Sequence, residues 1–272
     1  MIAVAFGDLR SGADKSHNVG STPGVRWRAG THPEEPNMLE TLRPDPTFHP
    51  SPRLAMQAPA ERLAYTVLLS PDGSRPGRVY VNTYDATSRK IIFMESTAYH
   101  EGVPGHHMQV AIAQELPDIP EFRRQGNYNA FAEGWALYSE RLGKEVGFYQ
   151  NPYVDYGRLN DEMLRAIRLV VDTGLHYKKW TREQVVQFFH DHSATDEVEV
   201  QSETDRYIVW PGQALGYKIG ALKITELREK ARKELGDKFD IRAFHDEVLG
   251  AGALPMDVLE QRINDWIGRM KK

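Results

Sequence analysis

Apolar residues return at helical spacing through most of the chain after about residue 88, and this periodicity predicts a mainly α-helical fold. Helices are expected over residues 88 to 115, 127 to 146, 155 to 178, 181 to 191, 196 to 233 (with a break near Pro211-Gly212), 239 to 249 and 255 to 270. Thr181-Arg182-Glu183-Gln184 reads as a capped helix start, and Pro255 as a proline at a first helical position. Just upstream the period shortens. Leu63 to Leu68 and Arg78 to Tyr84 alternate in strand fashion around a Pro71-Asp72-Gly73-Ser74 turn, which predicts a hairpin or a pair of short strands. Residues 1 to 60 are rich in Gly, Pro, Ser, Thr and Asn and show little periodicity. They are expected to be irregular or disordered, ahead of a domain over residues 61 to 272.

Composition narrows this picture only a little. A chain of 272 residues, 40% hydrophobic and 26% charged, can bury a sizeable core. A net charge of −4 gives no electrostatic case for nucleic acid or an anionic membrane as partner. No apolar run approaches the ~18 residues of a transmembrane span. Residues 1 to 9 lack a basic start and a long apolar stretch, so no signal peptide is read in this chain. The absence of cysteine excludes disulfides and thiolate ligands, and leaves cytoplasm and periplasm both open.

The chemistry concentrates at Tyr99-His100-Glu101-Gly102-Val103-Pro104-Gly105-His106-His107, followed by Ala130-Phe131-Ala132-Glu133-Gly134-Trp135. A catalytic zinc takes about three nitrogen or oxygen ligands and keeps a position for water, with a carboxylate nearby as base. The ordinary motif, His-Glu-x-x-His, sets two ligands at i and i+4 on one helical face. Here the second histidine stands at i+6 or i+7, and neither suits an unbroken helix. Pro104 and Gly105 supply a break, and looping out two residues as a bulge restores i+4 geometry for His106. His100, His106 and Glu133 are therefore the expected metal ligands and Glu101 the general base. His107 is the alternative ligand, or otherwise a group that supports a ligand or contacts substrate. Glu133 lies among Phe131, Trp135, Ala136 and Leu137, where an uncompensated charge is costly. Glu140, seven residues on, either supports the site or pairs with Lys144. His17, His32, His49, His190, His192 and His245 show no ligand spacing and read as surface or satisfied core residues.

Together with Ala130 to Glu140 and with Arg206-Tyr207-Ile208-Val209-Trp210-Pro211-Gly212-Gln213-Ala214-Leu215-Gly216-Tyr217-Lys218, the His-Glu-Gly-Val-Pro-Gly-His-His stretch resembles the domain-of-unknown-function 885 family (DUF885), which is similar to the gluzincin metallopeptidases. The resemblance covers roughly residues 70 to 268, and residues 1 to about 60 carry no recognised motif. Family members usually have a long helical N-terminal half that this chain does not show. The resemblance therefore implies the catalytic half of a larger protein, with that half or a second copy of the chain as partner.

It further implies a zincin-like helical domain, with a small β element beside the site, that binds Zn2+ and hydrolyses a peptide substrate. A carboxypeptidase-like or oligopeptidase activity is expected. Gluzincin sites commonly stabilise the oxyanion with a tyrosine or histidine from a later helix, which points to Tyr217, with His176 as the other donor. Arg206 and Tyr207 are expected to contact substrate, Arg206 through a carboxylate, and the Arg78 to Tyr84 strand to pair with an extended peptide. Two alternatives stand: a non-catalytic metal-binding module that recognises a peptide or partner, and a zinc hydrolase of a non-peptide amide.

Overall fold

In the computed structural model the periodic segments become ten α-helices and three short strands among the described residues, which are 2–5, 64–67, 77–81, 90–117 and 119–272. Strands β1 (Ile2–Ala5), β2 (Ala64–Val67) and β3 (Arg78–Val81) form an antiparallel sheet in the order β1-β3-β2. Strands β2 and β3 pair antiparallel, as expected of the two alternating segments, with Tyr65 opposite Tyr80, and the Pro71 to Ser74 turn lies outside the described residues. Strand β1 falls within the stretch read as irregular. The rest of that stretch lies outside the described residues, with His17, His32 and His49. The Arg78 to Tyr84 segment is not the open edge expected for a peptide. Strand β3 is paired on both sides, by β1 and by β2, so its backbone offers no edge to an extended peptide.

The helix expected over 88 to 115 is two helices, α1 (Met94–Glu101) and α2 (His106–Glu115), preceded by a 3-10 turn at Ile91–Phe93. The chain stops and restarts instead of bulging. Pro104 has no N–H to continue the helix, and a Cβ on Gly105 would lie 2.0 Å from the His100 carbonyl oxygen. Only glycine lets the chain fold back over the end of α1. The remaining helices are α3 (Glu121–Arg124), α4 (Asn129–Glu145), α5 (Pro152–His176), α6 (Arg182–His192), α7 (Glu197–Val209), α8 (Leu215–Leu235), α9 (Ile241–Leu249) and α10 (Met256–Lys271). Helix α6 opens on the Thr181/Gln184 capping box, as its sequence predicts. Pro255 takes the N-cap of α10 rather than its first helical position. No helix among the described residues is long and apolar enough to cross a membrane.

Helix α4 packs most extensively on α8, at backbone contact. A Cβ on Gly220 would meet the Ala130 carbonyl oxygen at 1.8 Å, and one on Gly134 would meet Gly220 Cα at 2.5 Å. Any side chain at either position pushes the helices apart. Below this crossing, Phe131, Trp135, Ile224 and Leu227 join Phe244, Leu259, Ile263 and Trp266 of α9 and α10 in one core. A second core of Leu164, Ile167, Val171, Val185, Phe189 and Val200 lies between α5, α6 and α7. Each such side chain contributes about 1.5–3 kcal/mol on burial, and together they fix α4, α5 and α8 as the frame for the polar groups described below.

One polar group sits within the first core. The Tyr138 hydroxyl accepts from Arg228 Nη1 at 3.1 Å and lies 2.8 Å from His245 Nε2, while Arg228 Nη2 donates to Glu145 Oε2 at 2.5 Å. The phenol and the imidazole thus share one hydrogen bond inside the core. Burial, and next the Arg228 charge, push the His245 pKa down to about 4. The histidine expected to be a bland residue is a satisfied core residue. In the unfolded chain its pKa is ~6.5, so between these values the unfolded state binds a proton that the folded state refuses. Stability is expected to fall as pH drops from about 6.5 to 4, by on the order of 3 kcal/mol from this group. Urea titrations of wild type and His245→Gln over that range check it, and equal losses in both would remove His245 as the cause.

Candidate metal centre

Three elements deliver the ligand candidates. His100 is the penultimate residue of α1, His106 the first of α2, and Glu133 faces both from α4. The break between the two histidines is held by α4 itself, since Trp135 Nε1 donates to the Pro104 carbonyl at 2.7 Å. Glu133 Oε2 lies 3.4 Å from His100 Nε2 and 3.2 Å from His106 Nε2, and the three donor atoms all fall within 4.8 Å of one another. Zinc ligands at about 2.0–2.1 Å on a tetrahedron stand about 3.4 Å apart. The two nitrogen–oxygen separations match that spacing, and two imidazoles with one carboxylate are a donor set that zinc accepts.

Behind His100 lies a second carboxylate. Its Nδ1 is 2.7 Å from Glu140 Oε1, a contact that fixes the tautomer and leaves Nε2 to face Glu133. Glu140 is 1% exposed, with Arg165 Nη2 3.8 Å from the same oxygen. Arg165 in turn pairs with Asp161 at 3.2 Å, which accepts from Ser96 Oγ at 2.5 Å. Burial disfavours a charge on His100. The hydrogen bonds to Glu133 and Glu140 and the charges of Glu140 and Glu101 outweigh it and push its pKa up to about 10. Glu133 is held well below the usual carboxylate range, its burial outweighed by hydrogen bonds to His100 and His106. The electrostatics thus favour positive charge where the three donors meet.

The other expected site residues divide. Glu101 closes α1, half-buried, and its charge acts on His100. Tyr217, in the first turn of α8, is brought to the centre. Its ring stacks on that of His100 with centroids 6.0 Å apart and 19° between planes. Burial, and next the Glu133 charge, push its pKa up. His107 is buried, outside the donor cluster, and burial pulls its pKa down, so it offers little surface to a substrate. His176 gives its Nε2–H to the Tyr207 carbonyl at 2.8 Å. Arg206 grips both oxygens of Glu203, at 3.0 and 2.8 Å, and reaches Gln213 Oε1 at 2.6 Å, so its fork is not open to a substrate carboxylate. Tyr207 is 1% exposed, its hydroxyl held by Glu203 and Arg168, and it is a core residue rather than a substrate contact.

Three residues of this neighbourhood have no assigned role in the sequence reading: Glu140, which it leaves open, and Arg165 and Arg168. A signal existed for the arginines. Both stand on α5 beside Leu164, Ile167 and Val171, where the apolar stripe marks the buried face.

Fold and site together define a mainly α-helical protein with a partly buried two-histidine, one-glutamate cluster that could hold a metal ion. The chain belongs to the DUF885 family, described as bacterial protein of unknown function, whose model matches residues 37–263. The match begins within the stretch where the sequence reading recognised no motif. No curated protein matches the chain. Among solved structures it is similar to a "putative lipoprotein" from Colwellia psychrerythraea, at 46% identity and a TM-score of 0.76 over 80% of this chain. A protein of unknown function from Shewanella oneidensis with the same description shares the fold at 23% identity, with a TM-score of 0.60 over 67% of this chain. The chain spans only 37% and 36% of those two chains.

Proposed function

We propose that the chain carries the catalytic centre of a zinc-dependent peptidase of the gluzincin kind. The observation that carries this reading is the convergence of His100 Nε2, His106 Nε2 and Glu133 Oε2, with Glu140 set behind His100. His100, His106 and Glu133 would hold the ion, which when bound supplies Lewis acidity and a water acidic enough to lose its proton near neutral pH.

The rest of the chemistry belongs to the chain. The Glu101 carboxylate accepts the proton of the attacking water and passes it to the leaving amine nitrogen. Tyr217, a phenol that is protonated near neutral pH, donates its hydroxyl hydrogen to the carbonyl oxygen as negative charge develops there. Glu140 holds the His100 ring in place through Nδ1. With Arg206 committed to Glu203, an oligopeptidase that cleaves within a short peptide is favoured over recognition of a C-terminal carboxylate.

The test is hydrolysis of a panel of short peptides, free or blocked at either end, beside matched non-peptide amides and esters. Peptide cleavage should stop on removal of the metal by a chelator and return with zinc. A zinc-loaded chain that cleaves none of the peptides sinks the reading, and one that cleaves only the non-peptide compounds changes the substrate class.

A further inference from the structure

Arg168 has no role in the chemistry above, yet it is one of the most buried charges of the fold, 6% exposed. Its guanidinium carbon lies 4.4 Å from the centroid of the Tyr217 ring. Two of its three nitrogens are fixed elsewhere: Nε donates to the Tyr207 hydroxyl at 2.8 Å and Nη2 to Glu203 Oε2 at 2.8 Å. Glu203 is itself held at both oxygens by Arg206. The Nε and Nη2 bonds orient the Arg168 guanidinium plane against the tyrosine ring. Its Nη1 is buried with no hydrogen-bond partner. The bonds to Tyr207 and Glu203 account for Nε and Nη2, and the face of the guanidinium is left to the Tyr217 ring.

We infer that Arg168 is the positioning residue for Tyr217, setting the ring against His100 so that the hydroxyl stands where the reacting carbonyl oxygen will be. Arg168 does not touch the metal ligands or the substrate. It acts through the tyrosine, as Glu140 acts through His100. Helix α5 thus carries two guanidiniums three residues apart, Arg165 beside the carboxylate that supports a ligand and Arg168 beside the hydroxyl donor. The catalytic part of this inference rests on the peptidase reading; the positional part does not.

The positional part is tested in the metal-free protein by NMR. Tyr217 stacks on His100, so its ring current shifts the His100 ring protons, and Tyr217→Leu gives the reference without that current. In Arg168→Leu and Arg168→Lys the His100 signals should move toward the Tyr217→Leu position. Arg168→Lys keeps a cation for Glu203 and so keeps the fold if Arg168→Leu does not. A folded Arg168→Lys protein with wild-type His100 signals overturns the inference.

In zinc-loaded protein, Arg168→Lys should lower kcat about tenfold or more with KM little changed. Combined with Tyr217→Phe it should add almost nothing, since both changes remove one interaction. Additive losses in that double variant would also overturn it. Absence of any turnover would count against the peptidase reading alone, and the NMR result would still decide the role of Arg168.

Discussion

Replacing Glu101 by glutamine is expected to leave fold and zinc content unchanged while lowering kcat by about 10² to 10⁴, the usual contribution of general acid–base catalysis. Glutamine keeps the shape and polarity of the side chain and loses only its basicity. Glu101 is the last residue of α1 and is not one of the three converging donors, so its loss takes nothing from the donor set. KM should barely move, because the group acts on a proton in flight and not on bound substrate. Steady-state kinetics beside metal analysis of the same preparation check this. Full activity in the Glu101→Gln protein would reject the proposed proton transfer, and loss of zinc with activity would make Glu101 part of the ligand shell instead.

Much of this arrangement is legible in the sequence because it is local. The histidines stand on either side of a Pro-Gly break, and Glu133 sits in an apolar run, so each is identified by its immediate neighbours. The helices from α4 onward follow their periodicity to within a few residues, and Thr181 and Gln184 announce the start of α6. What the sequence does not reveal depends on docking between distant elements. Glu140 is two turns from Glu133 on the same helix, with Lys144 a turn further on as an obvious partner. In the fold Lys144 pairs with Asp155 at 2.9 Å, and the arrival of α1 gives Glu140 to His100. Arg206 and Tyr207 read as substrate contacts because the sequence does not show that Glu203 and Arg168 occupy them. The pairing of β1 with β3 joins segments more than seventy residues apart, and no local pattern encodes it.

The ligands themselves give a graded prediction. A metal held by three protein donors keeps too few when one is removed. His100→Ala and Glu133→Ala are therefore each expected to abolish stoichiometric zinc, where the wild-type chain should carry about one ion. Glu140→Ala keeps all three donors but frees the His100 ring, and its zinc affinity should fall by about 10- to 100-fold, as for other carboxylates that orient a ligating histidine. His106→Ala should lose the metal, whereas His107→Ala should keep it, since His106 Nε2 lies 3.2 Å from Glu133 Oε2 and His107 is buried outside the cluster. Competition with a chromophoric chelator ranks all five variants in one experiment, with circular dichroism to show that each is folded. Stoichiometric zinc in either His100→Ala or Glu133→Ala would show that the cluster is not the site. Loss of metal in His107→Ala but not in His106→Ala would move the second nitrogen ligand one residue along α2, and the first turn of that helix would then have to rotate toward α4 to deliver it.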